Sequence, residues 1–311
     1  MKTVVVGLGG NAVLRKGAEG TVEEQREEIR KTASEIASLI EEGHRAVVTH
    51  GNGPQVGSLM LQQEGSETPG MPLDVLVAET QAQIGYLLQQ ELDNAVETDS
   101  EFVTFLTQTV VDPDDTAFDS PTKPVGPDYT EEEAREKEFE TVKTGDTYRR
   151  VVPSPDPVEI VESDEITRAV EAGTHVICCG GGGVPVVRDG GLRGVEAVVD
   201  KDKTSSLMAT CLDAEVFVSV TDVEYAYLGY GTDDERRIEE MTPEEARRHI
   251  REGEFGEGSM MPKVEACADF VERGGERGVI TTPEGLSAAI EGGKVGTSVS
   301  SSKFEKKSET D

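Results

Sequence analysis

Three short stretches hold the charged residues whose types and spacing could handle phosphate. Asp200-Lys201-Asp202-Lys203 leads into a segment where Leu207, Met208, Cys211 and Leu212 form an apolar helical strip, so Lys201 falls at a helix start. A cation is disfavoured there because it opposes the helix dipole, and a bound anion would offset that. Asp200 and Asp202 can hold Lys201 in place and assist a divalent cation, which carboxylates and phosphates bind together. In Gly256-Glu257-Gly258-Ser259-Met260-Met261-Pro262-Lys263, Pro262 marks a first helical turn with Ser259 as the expected cap. That leaves Lys263 as a second cation at the unfavourable end. Lys123, amid prolines in Ser120-Pro121-Thr122-Lys123-Pro124-Val125-Gly126-Pro127, is a further basic point.

Glycine-rich turns complete the set. Val47-Val48-Thr49-His50-Gly51-Asn52-Gly53-Pro54-Gln55-Val56-Gly57 joins a buried apolar run to a helix through a glycine turn, with Pro54 near the helix N-terminus. Such a joint presents backbone N–H groups and the positive end of a dipole to an anion. The device recurs as Gly7-Leu8-Gly9-Gly10-Asn11-Ala12 after Thr3-Val4-Val5-Val6, and as Gly180-Gly181-Gly182-Gly183 after residues 174–179. Lysines beside such turns suggest a polyanionic ligand.

The elements that must position these groups follow from periodicity. Val22, Ile29, Ala33, Ile36 and Ile40 share one face of a helix that Gly43 ends, and residues 45–49 form the next strand. Residues 73–96 read as a long helix with Leu73, Leu76, Val77, Thr80, Ile84, Leu87, Leu88 and Leu92 on one side. Val75, Ala78, Ala82 and Tyr86 give it a second strip, which fits either a subunit interface or a wholly buried helix. Residues 101–111 are β-rich. Residues 112–157, with seven prolines and few apolar residues, fit either a lid-like excursion or a disordered linker, with a small hairpin over 140–152.

Beyond it come helix 166–172, strand 174–179, a hairpin of 184–188 with 192–199, helix 202–212 and strand 215–220. The Thr221-Asp222 loop precedes helices 243–251 and 260–274, strand 278–281, helix 283–290 and strand 295–299, and residues 300–311 form a polar tail. Strands alternating with helices predict one α/β domain over residues 1–311, its parallel sheet wrapped on both faces. Ligands in such sheets sit beyond the carboxyl ends of the strands, so the glycine turns should share one edge.

Composition narrows the partners. The chain has 62 acidic against 30 basic residues, a formal charge of −32, and only 13 of the cations are lysine. Nucleic acid and anionic membranes would be repelled. The regular apolar runs argue for a folded protein whose acidic surface suits very high salt, where self-repulsion is screened. No apolar run spans a membrane, Met1-Lys2 leads directly into a strand without a signal-type region, and the four cysteines read as buried reduced thiols in a cytoplasm.

Gly7-Leu8-Gly9-Gly10-Asn11-Ala12 fits a dinucleotide fingerprint, but residues 13–20 hold two glycines and no helical period, which opposes it. No P-loop, G-x-S-x-G or metal-ligand spacing occurs, and His50 is expected to fix its loop rather than act as a base. Phosphoryl transfer needs chiefly positioning, cations and Mg²⁺, and an anionic acceptor needs no base.

Nearly the whole chain resembles the carbamate kinases of the amino acid kinase superfamily. The matching pieces include Gly9-Gly10-Asn11-Ala12, Thr49-His50-Gly51-Asn52-Gly53-Pro54-Gln55-Val56-Gly57, Pro121-Thr122-Lys123-Pro124-Val125-Gly126, Gly194-Val195-Glu196-Ala197-Val198-Val199-Asp200-Lys201-Asp202, Thr221-Asp222-Val223 and Ser259 to Lys263. The resemblance implies a three-layer αβα sandwich around an open, mostly parallel sheet with a small protruding subdomain, working as a homodimer. It implies phosphoryl transfer between MgATP and carbamate, giving carbamoyl phosphate and ADP, with Mg²⁺ carried by the nucleotide phosphates rather than by protein ligands. Its setting would be fermentation of arginine or related compounds.

By matching positions, Lys201 and Lys263 would stabilise the transferring phosphoryl group, with Asp202 orienting both. Lys123 would reach over the carbamate pocket. Gly9, Gly10, Asn11, Gly51, Asn52 and Gly53 would supply backbone and amide donors, and Thr221, Asp222 and Met261 would border the nucleotide with Lys263. Met261 stands where the family commonly has Gly, and Lys203 is an extra cation. A sister kinase for another carboxylate and a catalytically silent sensor that binds a nucleotide or phosphate are the alternatives.

Overall fold

Runs such as Val4-Val5-Val6 and Ala46-Val47-Val48 are β-branched and apolar without a break, the pattern of strands covered on both faces. The computed structural model describes residues 1–15, 17–256 and 258–301, with the side chain of Asn11 outside the description. Residues 302–311, nearly all of the expected polar tail, lie outside the described residues.

The chain begins with β1 (Thr3–Leu8), α1 (Val22–Glu41), β2 (Arg45–His50), α2 (Gly53–Glu64), α3 (Leu73–Ala95) and β3 (Phe102–Thr104). Next come β4 (Gln108–Val111), β5 (Lys123–Tyr129), α4 (Glu131–Glu136), β6 (Thr141–Thr144), β7 (Thr147–Val152) and β8 (Pro157–Ile160). They are followed by α5 (Ser163–Glu171), β9 (His175–Ile177), β10 (Val184–Arg188), β11 (Leu192–Gly194), α6 (Lys201–Cys211) and β12 (Val216–Val220). The remainder holds β13 (Ala226–Leu228), β14 (Arg236–Ile238), β15 (Glu240–Met241), α7 (Pro243–Arg251), α8 (Met260–Glu272), β16 (Arg277–Thr281), α9 (Leu286–Ile290) and β17 (Thr297–Ser300).

Among the described residues the main sheet has the order β15-β17-β16-β12-β1-β2-β9-β3. Neighbours run parallel except β16 and β17. Alternate side chains along each strand enter different cores. Val5, Val47, Phe217 and Ile280 join Met208 of α6 and Val264 and Phe270 of α8 on one face. Val4, Val6, Val48 and Val218 join Ile29 and Ile36 of α1, Ile84 and Leu88 of α3 and Leu286 of α9 on the other. The result is an αβα sandwich. Its helices start where the sequence caps them: Thr21 with Glu24 and Thr242 with Glu245 each form a reciprocal capping box.

The proline-rich stretch is an ordered excursion. It leaves after β4 and returns at β8, which pairs antiparallel with β4. Between them β5, β7 and β6 form a three-stranded antiparallel sheet, including the expected hairpin of β6 with β7. Its Val125 and Val152 pack against Val56 and Met60 of α2 and Val184 and Val186 of β10. Polar ties add to this: Tyr129 Oη donates to Glu64 Oε1 at 2.6 Å, and Arg150 pairs with Glu196 at 2.8 Å.

Several expectations need correction. Residues 101–111 split into β3 and β4, which belong to different sheets. The second hairpin strand stops at Gly194, and the hairpin of β13 with β14 was absent from the sequence reading. Val22 is exposed, because it opens α1 beyond the reach of the core. On α3, Val75, Ala82 and Tyr86 face outward, so the helix is not wholly buried. Cys211 is exposed at the end of α6, whereas Cys178, Cys179 and Cys267 are buried.

Phe217 has no exposed surface and meets Phe270 edge-on, with centroids 6.0 Å apart. Phe217→Ala should lower the unfolding free energy by about 3–5 kcal/mol in urea titrations, as large-to-small core changes do. A loss below about 1 kcal/mol would contradict the packing described.

Candidate active site

The parallel order β12-β1-β2-β9 aligns four carboxyl ends, so Thr221-Asp222, Gly9-Gly10-Asn11, Gly51-Asn52-Gly53 and the four glycines at 180–183 share one rim. They interlock closely. A Cβ built on Gly51 would lie 3.7 Å from Gly10 N and 3.9 Å from Lys201 Cδ, so the Lys201 stem passes directly by both turns. At Gly181 (φ +62°) a Cβ would fall 2.1 Å from Asn52 Nδ2, so only glycine admits the Asn52 amide. That amide donates to Thr80 Oγ1 at 2.9 Å.

Lys201 and Lys263 occupy the first turns of α6 and α8, and the structure brings them to one carboxylate. Lys201 Nζ donates to Asp202 Oδ1 at 2.7 Å, and Lys263 Nζ donates to Asp202 Oδ2 at 3.1 Å. Ser219 Oγ, on β12, adds a 2.7 Å bond to Asp202 Oδ1. All three charged groups are buried: Asp202 is 4% exposed and Lys263 8%, and the Lys201 side chain 13%. Helix α6 is tied to β2 through Ser205 Oγ, 2.5 Å from Thr49 Oγ1. Asp200 caps α6 by accepting from Asp202 N at 2.9 Å, and its other oxygen takes the Lys123 ammonium of the excursion at 3.0 Å.

The electrostatics follow from this geometry. Burial disfavours charge on the Asp202 carboxyl, but the two ammonium groups outweigh it and hold its pKa well below the usual carboxylate range. Burial lowers Lys201 to about 8, with the Lys263 charge pushing the same way and Asp202 only partly opposing it. Lys263 also loses hydration, yet Asp202 outweighs that and keeps its pKa above the ordinary lysine value. His50 is buried, its pKa lowered to about 4 by burial, and its Nδ1 lies 3.0 Å from the Gly51 carbonyl. Its ring also stands against Gly180, so it buttresses the turns as a neutral group.

A cavity of about 170 Å³ opens between the Gly51-Asn52-Gly53 turn, Lys201 and the excursion, which contributes Lys123, Gly126 and Arg149. Lys263, Gly9, Gly10 and the Thr221-Asp222 loop do not line it. Thr221 takes its place on the rim by donating its N–H to the Thr281 carbonyl at 2.9 Å, while its hydroxyl donates to Asp222 Oδ1 at 3.2 Å. Met261 lies two residues before Lys263, its N–H bonded to the Gly256 carbonyl at 3.1 Å.

Some expectations change here. The Gly9 N–H is engaged by the Val220 carbonyl at 3.0 Å and the Gly51 N–H by the Leu8 carbonyl at 3.1 Å, so these two glycines give space rather than donors. The expected amide of Asn11 lies outside the described side chains, although its backbone forms the turn Gly10–Ala12. Ser259 stands before α8 without a side-chain capping bond. Asp200 and Asp202 are taken up by lysines rather than left open to a metal. Lys203 points away, to Asp156 at 2.6 Å and Glu265 at 3.3 Å. Arg149 was missed; the adjacent pair Arg149-Arg150 in so acidic a chain was the available signal.

A family model described as the amino acid kinase family matches residues 2–282. A relative named carbamate kinase in Halobacterium salinarum is 53% identical over 96% of this chain and 98% of its own. Another of that name in Pyrococcus furiosus is 47% identical over 96% of this chain and 99% of its own. This chain belongs to the carbamate kinases of the amino acid kinase family. The likeness extends to three dimensions: the solved carbamate kinase from Giardia lamblia bound to AMP-PNP superposes with a TM-score of 0.89 at 40% identity, over 96% of this chain and 98% of that one.

In this carbamate kinase family member the lysine pair titrates asymmetrically. Below about pH 8 both ammonium groups are charged, and above it Lys201 becomes neutral while Lys263 keeps its proton. Side-chain NMR of the free protein should show one lysine with a midpoint near pH 8, absent in Lys201→Arg. If every lysine titrated above pH 10, the described burial would be wrong.

Proposed function

We infer that the protein transfers a phosphoryl group reversibly between MgATP and carbamate, giving ADP and carbamoyl phosphate. One observation carries this: a buried carboxylate holds two lysines in charged form beside glycine turns, in a chain about half identical to relatives named carbamate kinase. Carbamate is already an anion, so its oxygen attacks the γ-phosphorus without a base. The new P–O bond forms as the bond to the ADP oxygen breaks, and ADP leaves with the electron pair. Positioning and charge supply the catalysis.

Lys201 and Lys263 offset the negative charge of the phosphoryl oxygens, and Asp202 orients them. Lys123 closes over the carbamate from the excursion, which serves as a lid. Gly10, Asn52 and Gly53 present their N–H groups to the phosphate or carbamate, while Gly9 and Gly51 let the chain approach. Thr221, Asp222 and Met261 border the nucleotide. Mg²⁺ arrives with the nucleotide phosphates, which agrees with Asp200 and Asp202 being engaged by lysines.

The exposed strip of Val75, Ala82 and Tyr86 on α3 supports a homodimer, since an outward apolar face gains by meeting a second copy. A charge of −32 supports work in concentrated salt. The family resemblance adds a cytoplasmic setting in which arginine-type fermentation supplies carbamoyl phosphate for ATP synthesis.

The decisive assay is ATP formation from ADP and carbamoyl phosphate across a salt series. Lys201→Ala should lower kcat by about 10²–10³-fold, the scale of losing one charge-stabilising donor, with the thermal melt unchanged. Unchanged turnover in that variant would remove Lys201 from the mechanism, and no ATP from the wild type would refute the activity.

A further inference from the structure

We propose that Arg149 is a second substrate-binding cation of the lid, contacting the anionic group of carbamate or carbamoyl phosphate beside Lys123. This role presupposes the kinase activity inferred above. The register of β5 against β7 explains how Arg149 comes to the cavity. Val125 pairs with Arg150 and Tyr129 with Tyr148, so three residues of β5 bulge opposite Arg149 alone. The bulge turns the Gly126 carbonyl out of the ladder, at a φ of +75°. A Cβ on Gly126 would lie 2.9 Å from Met60 Cε, so the bulge presses on α2.

Arg149 fills the gap: its Nε and Nη2 both donate to Gly126 O, at 3.1 and 2.8 Å. The guanidinium is thereby fixed in orientation, while its remaining donors, the two of Nη1 and the second N–H of Nη2, have no partner among the described residues. No carboxylate of the described residues lies within 4.0 Å of it, in a chain where acids outnumber bases two to one. An exposed arginine can rely on water, but this one is half-buried on the cavity wall. Neighbouring strand residues point to opposite faces, and Arg150 accordingly turns away to Glu196 and the Phe139 ring. A planar cation with free donors, held rigid in the lining of the cavity that Lys201 also lines, is suited to an oxyanion.

The test is steady-state ATP formation with ADP and carbamoyl phosphate. Arg149→Gln should raise the KM for carbamoyl phosphate about 10- to 100-fold, the range of a lost charge-assisted hydrogen bond. The KM for ADP should stay within about twofold. Inorganic phosphate, competing with carbamoyl phosphate, should weaken by the same factor, and Arg149→Lys should fall between, keeping charge but losing the fork. A drop in kcat with unchanged KM and phosphate inhibition would mean that Arg149 only latches Gly126, and would overturn the proposal. Were Arg149→Gln to misfold, the result for Arg149→Lys decides: a wild-type KM there overturns it. A wild type without activity defeats the kinase function and this role together, whereas an active wild type matched by its variants defeats this role alone.

Discussion

The buried carboxylate of Asp202 is the constraint on which the rest turns. Two lysines a few ångströms apart, each in the first turn of a helix, repel each other and are opposed by both dipoles. Burial removes the water that would screen them. One carboxylate, fixed by a serine from the central sheet, makes the arrangement tolerable. For Lys263 the carboxylate outweighs the loss of hydration and for Lys201 burial prevails, so the two ammonium groups differ in acidity. A polyanion entering the site would satisfy what Asp202 cannot, so the free protein is held in a state that favours its ligand.

That constraint explains the order of the strands. Lys201 and Lys263 are 62 residues apart in sequence and meet because α6 and α8 pack on the same face of the sheet. The turns that face them come from β1, β2 and β9, all adjacent and all parallel. An antiparallel neighbour in the middle would have sent one turn to the far edge. The antiparallel strand β17 lies beyond β16, away from the turns after β1 and β2. Catalysis by positioning needs this kind of scaffold, in which separate segments are delivered to one rim by elements that cannot shift independently.

Much of this was legible in the sequence, for identifiable reasons. Strands buried on both faces read as unbroken apolar runs, so β1, β2, β9, β12 and β16 stood out. Helices with one apolar face and good caps, such as α1 and α7, were found nearly to the residue. The misses share a cause: they depend on contacts that local pattern does not encode. Residues 101–111 read only as β-rich, because composition cannot say that their two strands join different sheets. The hairpin of β13 and β14 has strands of three residues each, one with two exposed arginines, too short to show a period of two. At the site the glycines were visible, but which N–H groups were already engaged by Val220 and Leu8 was not. Arg149 was overlooked because its meaning depends on a bulge in the opposing strand.

The excursion, the proposed lid, draws much of its apolar packing from outside itself. Val125 and Val152 are buried against Val56 and Met60 of α2 together with Val184 and Val186 of β10, and α2 is the helix that begins at the Gly51-Asn52-Gly53 turn. The proposed lid and the glycine turn below it therefore share one hydrophobic seam. An engineer who excised the excursion, or swapped in one from a cousin, would strip apolar side chains bare directly behind the rim of glycine turns. Such a chimera must bring its own second helix along.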